Sequence, residues 1–96
     1  MGTGEMVQNL EYKLEQNYPN PFNPSTVIKY SVKETGLVEL KILNILGERV
    51  KTLVKDIQPE GSYEIEFNAR VLASGIYLYR LKVNDFVSTK KMILVK

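Results

Sequence analysis

Apolar and polar residues alternate along most of the chain, in short segments separated by turn-forming residues. Alternation with a period of two places successive side chains on opposite faces of an extended backbone, and it is typical of a strand with one buried face. No stretch repeats apolar residues at the helical period for long enough to predict a helix. The pattern therefore predicts seven strands, over residues 10–14, 28–32, 38–42, 49–54, 62–67, 76–83 and 86–95.

The residues between these segments suit tight antiparallel connections. We expect Gly36 to supply a positive φ after the second strand, and Gly47 to close a type I turn in the left-handed region. Asn84 and Asp85 fit a two-residue hairpin turn. Residues 69–73 are long enough for one helical turn at most. Seven short strands joined in this way predict an all-β fold, a seven-stranded antiparallel immunoglobulin-like β-sandwich.

The sixth predicted strand differs from the others because both of its faces are apolar. Tyr77, Tyr79 and Leu81 share one face, and Ile76 and Leu78 share the other. This pattern is typical of a strand that is covered on both sides or that lies at an interface.

Residues 16–26, with the sequence QNYPNPFNPST, hold three of the four prolines and three asparagines. Each proline fixes its own φ, removes a backbone donor and biases the preceding residue toward extended conformations. Asparagine side chains can bond the backbone a residue or two further on and replace missing main-chain partners. We therefore predict an ordered asparagine–proline loop rather than a disordered one, with Tyr18 and Phe22 available to plug a hydrophobic end of the core.

Length and composition predict a single globular domain. The chain has 96 residues, 44% of them hydrophobic, and its net charge of +2 is too small and too dispersed to indicate nucleic acid as a partner. Cysteine and histidine are both absent, so the chain lacks disulfides, the commonest metal ligand and the commonest general base at neutral pH. No apolar run approaches the ~18 residues of a transmembrane segment. We expect no cofactor, no metal site and no enzymatic activity.

Two groups of side chains invite a chemical interpretation. Glu64 and Glu66 share one strand face about 6.5–7 Å apart, which suits an inverting carboxylate pair, but solvated alternate positions on a half-exposed strand explain them better. Tyr63, Tyr77 and Tyr79 could form an aromatic platform for sugars or bases, although inward packing explains the last two better.

The asparagine–proline stretch also carries a resemblance to a known family. Residues 17–26 resemble the opening signature of the type A C-terminal sorting domains of the type IX secretion system. Further matches follow in the order of that family, over residues 44–50 (NILGERV), 61–63 (GSY), 72–81 (LASGIYLYRL) and 90–96 (KKMILVK). Phe67-Asn68 stands where many relatives carry Trp-Asp, a change that is conservative for packing. The similarity covers roughly residues 14–96.

The resemblance implies a sorting signal carried by a larger protein. Such a domain directs a covalently linked N-terminal cargo from the periplasm to an outer-membrane translocon, and then to the cell surface or the medium. A sortase-like cysteine protease commonly removes the domain there, often attaching the cargo to an anionic lipopolysaccharide. We accordingly divide the chain into a start or linker segment, residues 1–9, near which cleavage would fall, and a sorting domain, residues 10–96.

The resemblance also suggests roles for the matched residues. For recognition by the translocon we select Gly75 and a terminal run formed by Lys90, Lys91, Met92, Ile93, Leu94, Val95 and Lys96. A structural motif that shapes the sandwich is expected from Asn17, Pro19, Asn20, Pro21, Phe22, Asn23, Pro24 and Ser25. If the last strand keeps one register, Met92 and Leu94 point into the core, and Lys91 and Ile93 point away from it.

The terminal run also has simpler interpretations. Lys90 and Lys91 point to opposite faces of a strand, so they make a poor membrane-surface patch and instead suit a protected sheet edge. The chain stops on Lys96 directly after its last strand, which is equally compatible with a domain that merely ends there. The alternative function is a permanent structural or adhesive immunoglobulin-like module, including a carbohydrate-binding one, which an exposed aromatic platform would favour and buried tyrosines would disfavour.

Overall fold

The computed structural model describes residues 10–96, and this part of the chain contains seven strands and no helix. All seven predicted strands are present, but β1 begins three residues later than the pattern indicated, β2 begins three residues earlier and β4 ends four residues later. The predicted start or linker, residues 1–9, lies outside the described residues. The strands are β1 (Lys13–Leu14), β2 (Ser25–Val32), β3 (Gly36–Leu43), β4 (Arg49–Gln58), β5 (Gly61–Asn68), β6 (Gly75–Val83) and β7 (Phe86–Leu94).

The strands form two antiparallel sheets that enclose one core. The three-stranded sheet has the order β1-β2-β5, and the four-stranded sheet has the order β4-β3-β6-β7. The prediction of an immunoglobulin-like sandwich is therefore confirmed. Strand β4 pairs with β3 along a hairpin, so it joins the second sheet, whereas constant-type immunoglobulin domains place their fourth strand in the first sheet.

Alternate residues of the long strands fill the space between the sheets. Full burial of one such side chain stabilises the fold by about 1.5–3 kcal/mol, so this set supplies most of the hydrophobic driving force. Strands β4 and β5 are edge strands and contribute mainly half-buried side chains. The strand residues of the hydrophobic core are Leu14, Ile28, Tyr30, Val32, Val38, Leu40, Ile42, Phe67, Tyr79, Leu81, Val83, Met92 and Leu94.

Two of the predicted turns are confirmed. Gly47 has a φ of 86° and its N–H bonds the carbonyl of Asn44 at 2.9 Å, which closes the β3–β4 hairpin. Val83 pairs directly with Phe86, so only two residues join β6 to β7, and Asn84 adopts a φ of 53° between them. Residues 69–73 form a single turn, closed by a bond from the N–H of Leu72 to the carbonyl of Ala69, rather than a helical turn.

The prediction of a positive φ for Gly36 is wrong. Gly36 opens β3 opposite Gln58, and among the described glycines only Gly47 and Gly75 have positive φ. Glycine is needed at position 36 for a different reason: an added Cβ would collide with Oδ1 of Asn84. The requirement comes from close approach of the β6–β7 turn, which no local pattern reveals.

Several connections meet at one end of the sandwich. Leu43, the last residue of β3, lies opposite Leu78, and Gly75, the first residue of β6, lies opposite Leu94. The β3–β4 turn, the turn before β6, the end of β7 and the asparagine–proline loop therefore share this end, which we call the β7 end. The β2–β3, β4–β5 and β6–β7 turns lie at the opposite end.

Candidate functional site

The terminal run occupies the last part of an edge strand. Met92 and Leu94 are buried, Lys91 is exposed and Ile93 is half-buried, so the predicted register of β7 is confirmed. Lys90 is half-buried on the inner face, opposite Tyr79. The alternation fixes Lys91 on the outer face of the four-stranded sheet, where a partner can reach it.

The asparagine–proline loop lies along the free edge of this strand. An edge strand leaves every second backbone N–H and C=O without a ladder partner, and here residues of the loop bond those groups. Phe22 forms an isolated parallel bridge with Leu94, so the loop behaves as a very short additional strand. The bonds run from Phe22 N to Ile93 O (2.9 Å), from Val95 N to Phe22 O (3.0 Å), from Ile93 N to Asn20 Oδ1 (2.9 Å) and from Gln16 Nε2 to Lys91 O (2.7 Å).

Phe22 fills the core as predicted, but the expectation for Tyr18 is wrong. Phe22 is 2% exposed and its ring centroid lies 6.2 Å from that of Phe67. Tyr18 is 79% exposed. Its backbone bonds Val27 in both directions, which holds it extended, and side chains on extended backbone alternate. Because Asn17 points inward, Tyr18 must point outward.

A buried polar network anchors the start of the loop to β6. The Tyr79 hydroxyl donates to the carbonyl of Glu15 and accepts from the N–H of Asn17, both at 2.7 Å. The Asn17 side chain is 2% exposed and donates to Thr26 Oγ1 at 2.9 Å. Thr26 Oγ1 donates in turn to the carbonyl of Pro19 at 2.8 Å. Burial raises the pKa of the Tyr79 hydroxyl to about 12, although the bond from Asn17 N–H lowers it in part.

The remaining motif residues lie on the surface or connect the loop to its surroundings. The carbonyl of Pro24 accepts a bond from Ala69 N–H at 2.8 Å, and Ser25 opens β2 opposite Asn68. Pro24 and Ser25 are half-buried, and the exposed members of the motif are Pro19, Asn20, Pro21 and Asn23.

Gly75 and the terminal run come together in the structure. Gly75 lies opposite Leu94 in the β6–β7 ladder. Lys96 contacts the preceding turn, because its N–H bonds Ser74 Oγ at 3.1 Å and its Nζ bonds the carbonyl of Arg70 at 2.5 Å. The terminal run is thus held by the asparagine–proline loop on one side and by residues 70–75 on the other.

Sequence reasoning overlooked the polar contacts that hold this unit together. Four residues that were not selected as site residues bond the terminal run or the asparagine–proline loop: Gln16, Thr26, Ser74 and Tyr79. Two of them left a signal: Thr26 falls on the inward face of β2 with Ile28, and Tyr79 falls on the inward face of β6. A polar atom at an inward position needs a hydrogen-bond partner, so both positions predict a buried contact.

The side chains with a chemical interpretation lie apart from this unit. Glu64 and Glu66 are exposed, and Glu64 faces Lys29 across the β2–β5 ladder. Tyr79 is buried, Tyr63 stacks on Tyr30 with centroids 5.4 Å apart, and Tyr77 is half-buried. These three tyrosines do not form an exposed aromatic platform. In residues 10–96 no group of three or more acidic, histidine or cysteine residues is placed to hold a metal ion.

The part of the chain that the structure describes has no helix long and apolar enough to span a membrane.

Comparison with known proteins gave one match. The family model described as "Secretion system C-terminal sorting domain" matches residues 16–96. No curated protein and no solved structure shows significant similarity to the chain. The match begins at Gln16, the first residue of the asparagine–proline loop, and runs through the terminal run, so it includes both halves of the unit described above.

Proposed function

Because the chain belongs to the family of secretion system C-terminal sorting domains, whose members act as sorting signals of the type IX secretion system, we propose how this signal is read. Gly75 and the terminal run, residues 90–96, form the recognised element, and the asparagine–proline loop holds that element in a fixed shape. The family supports linkage to an N-terminal cargo and delivery to the cell surface or beyond. In our proposal the partner is the outer-membrane translocon, which the cargo reaches from the periplasm.

One observation carries this proposal: the loop bonds the free edge of the terminal run at Lys91, Ile93 and Val95. An unsupported strand end frays, and its ordering on a partner would cost conformational entropy of about 1–2 kcal/mol per residue. Because the loop already orders this strand end in the folded domain, binding does not carry that entropic cost. Lys91 then projects from a rigid strand, and the translocon binds a preorganised surface instead of a flexible tail.

We further propose that the domain is removed after export by a sortase-like cysteine protease, with cleavage near residues 1–9. The support is the family assignment together with position: β1 begins at Lys13, so a cut before it would leave every strand of the sandwich intact. The boundary of the sorting domain would then fall near residue 10, a few residues before the family match begins.

The first prediction concerns the two exposed lysines of the terminal run. Lys91→Ser with Lys96→Ser removes two surface charges and should change the free energy of unfolding by no more than about 0.5 kcal/mol. Fused after a periplasmic reporter, in a bacterium with a type IX system, the wild-type chain should bring the reporter to the cell surface. The double variant should leave it in the periplasm, as measured by surface labelling and fractionation.

The matched control is Lys13→Ser with Lys29→Ser, which removes the same charge from exposed positions on the three-stranded sheet. Export of the control together with retention of the terminal variant would locate recognition in the terminal run. Normal export of the terminal variant would exclude its lysines from the signal. Periplasmic retention of the wild-type fusion would contradict sorting itself and leave the permanent adhesive module as the better description.

A further inference from the structure

The outer face of the four-stranded sheet carries an apolar patch at the β7 end. Leu43 lies opposite Leu78, and Ile76 lies opposite Ile93. Directly opposed residues share a face, and so do Ile76 and Leu78, which are two positions apart on one strand. These four side chains form what we call the outer patch, on the face that points away from the core. Leu43 is buried, Leu78 and Ile93 are half-buried, and Ile76 is 46% exposed.

The β3–β4 turn, which begins directly after Leu43, carries two further exposed aliphatic side chains. Ile45 and Leu46 are 67% and 80% exposed at the tip of the hairpin. The Asn44 side chain makes the turn rigid, since its Oδ1 accepts bonds from Leu46 N–H at 2.9 Å and Glu48 N–H at 3.0 Å. Two neighbouring aliphatic side chains are thus presented to solvent on a fixed backbone, an arrangement that favours docking because little ordering remains to be done.

Basic residues border the outer patch. Lys41 lies directly opposite Arg80, and Lys91 lies opposite Leu78. Like charges opposed across a ladder are unfavourable, and the ion pair found in residues 10–96, between Lys33 and Glu11, lies elsewhere. The basic side chains of this face outnumber its acidic one, Glu39. A shallow cavity of about 330 Å³ opens between them, lined by Glu39, Lys41, Arg80, Lys82 and Val87.

We propose that the outer patch and the hairpin tip Ile45–Leu46 form a docking surface for a protein partner with an apolar centre and neighbouring carboxylates. Ile76, with the half-buried Leu78 and Ile93, meets the centre of the partner surface, while Leu43 packs beneath them. The cavity accepts an acidic side chain beside its basic residues. A protein fits better than a lipid surface, because a small cavity lined by three basic side chains and one acidic one suits a single projecting carboxylate. Lys91 belongs both to the terminal run and to this border, so the partner is the machinery that reads the sorting signal. The inference therefore rests on the proposed function and adds a second contact to it.

The test uses the full chain fused to the same reporter. Ile76→Thr with Leu46→Ser should reduce surface display at least about tenfold, the usual effect of truncating central contacts. The melting temperature should fall by less than about 5 °C, since Leu46 is 80% exposed and Ile76 is 46% exposed. The matched control is Leu37→Ser with Ile57→Thr, an exposed aliphatic pair opposed across the β3–β4 ladder at the opposite end. The control should be displayed normally.

A charge variant separates docking from a structural role. Lys41→Gln relieves the opposition to Arg80, so it should leave the melting temperature unchanged or raise it. Display should nevertheless fall, because the basic border loses a contact. Loss of display without loss of stability would support the docking surface, and unchanged display would overturn the assignment of an acidic partner.

The remaining outcomes distinguish this inference from the proposed function. Retention of the wild-type fusion in the periplasm would contradict both the docking surface and the proposed function. Display of the wild type and of Ile76→Thr with Leu46→Ser at equal levels would overturn the docking surface and leave the proposed function standing. Sedimentation with phosphatidylglycerol-containing vesicles that the patch variant abolishes would assign the surface to lipid. A concentration-dependent dimer abolished by the same variant would assign it to a second copy of the chain. Either result would overturn a separate protein partner.

Discussion

At the scale of single residues, the asparagine–proline loop sorts its two aromatic side chains to opposite environments. Phe22 is 2% exposed and packs near Phe67, whereas Tyr18 is 79% exposed. Both lie within one proline-rich segment and have similar volumes. Their contributions to stability should therefore differ by the transfer of one aromatic ring from water to the core and by the cavity that its removal leaves.

This difference gives a prediction about stability. Phe22→Ala should lower the free energy of unfolding by about 3–5 kcal/mol, because a buried ring is lost and the site cannot fully collapse. Tyr18→Ala should change it by less than about 0.5 kcal/mol. Urea denaturation of the two variants beside the wild type measures both. A loss below ~1 kcal/mol for Phe22→Ala would mean that the loop does not close the core.

The Tyr79 hydroxyl, which anchors the loop, makes the stability of the fold depend on pH. Burial raises its pKa to about 12, although the bond from Asn17 N–H lowers the pKa in part. An unfolded tyrosine titrates near pH 10. Between these values the unfolded chain loses the phenolic proton and the folded chain keeps it. Stability therefore falls as pH rises, because the folded state binds more protons than the unfolded state.

The corresponding prediction compares pH profiles. The wild-type chain should be stable up to about pH 10 and should lose stability progressively above it. Tyr79→Phe should be less stable at pH 7, because Asn17 N–H and the Glu15 carbonyl lose a buried partner, yet it should lose less on alkalinisation. Burial also raises the pKa of Tyr30, so part of the alkaline loss should remain. Urea melts at pH 9 and pH 11 measure the loss of unfolding free energy between these two pH values. An equal loss in the wild type and in Tyr79→Phe would contradict this account.

At the scale of elements, the β2–β3 and β6–β7 turns contact each other at the end of the sandwich opposite the β7 end. Asn84, in the β6–β7 turn, adopts a positive φ, and its Nδ2 lies 2.9 Å from the Tyr12 hydroxyl and 3.2 Å from the carbonyl of Glu34. Its side chain occupies the space that a Cβ on Gly36 would need. The first residue of β3 and the β6–β7 turn thus constrain each other through one side chain.

This constraint predicts non-additive effects. Gly36→Ala should destabilise the fold by about 1–3 kcal/mol, because the Asn84 side chain must give up its bonds to make room. Asn84→Gly keeps the positive φ available and removes the obstruction. In the Asn84→Gly background, Gly36→Ala should cost markedly less, which a double-mutant cycle from denaturant melts would show. Additive losses would mean that the two turns are independent.

At the scale of the whole molecule, the two ends of the sandwich are suited to different tasks. Leu10 precedes β1, and β1 runs antiparallel to β2 with Lys13 opposite Ser31. The described chain therefore enters near the β2–β3 turn, away from the β7 end. A cargo joined before residue 10 would project from that opposite end. The terminal run, the outer patch and the hairpin tip would stay accessible to a partner while the cargo is attached.

Alternation along the sequence was sufficient to predict the seven strands, the register of β7 and the class of sandwich. The reason is that each strand has one buried face, and a slip of one residue would expose all of its apolar side chains. The motif residues likewise pointed to Gly75 and the terminal run as the part of the chain to examine, although their role in recognition stays a prediction. Local chemistry also located Gly47 and Asn84 in turns, because glycine and asparagine tolerate positive φ better than other residues do.

Only the tertiary structure decided which distant segments meet. The pairing of the asparagine–proline loop with the edge of β7 and the approach of Asn84 to Gly36 both join residues far apart in the chain. The inward position of Asn17 beside an outward Tyr18 likewise goes with a backbone bond from Asn17 to the distant Tyr79 hydroxyl. Their positions depend on how two sheets stack and on which backbone groups an edge leaves free, and neither quantity has a local signature. The outer patch shows the division most clearly. The sequence indicated that β6 is apolar on both faces, but the cross-strand register placed Leu43, Ile76, Leu78 and Ile93 side by side.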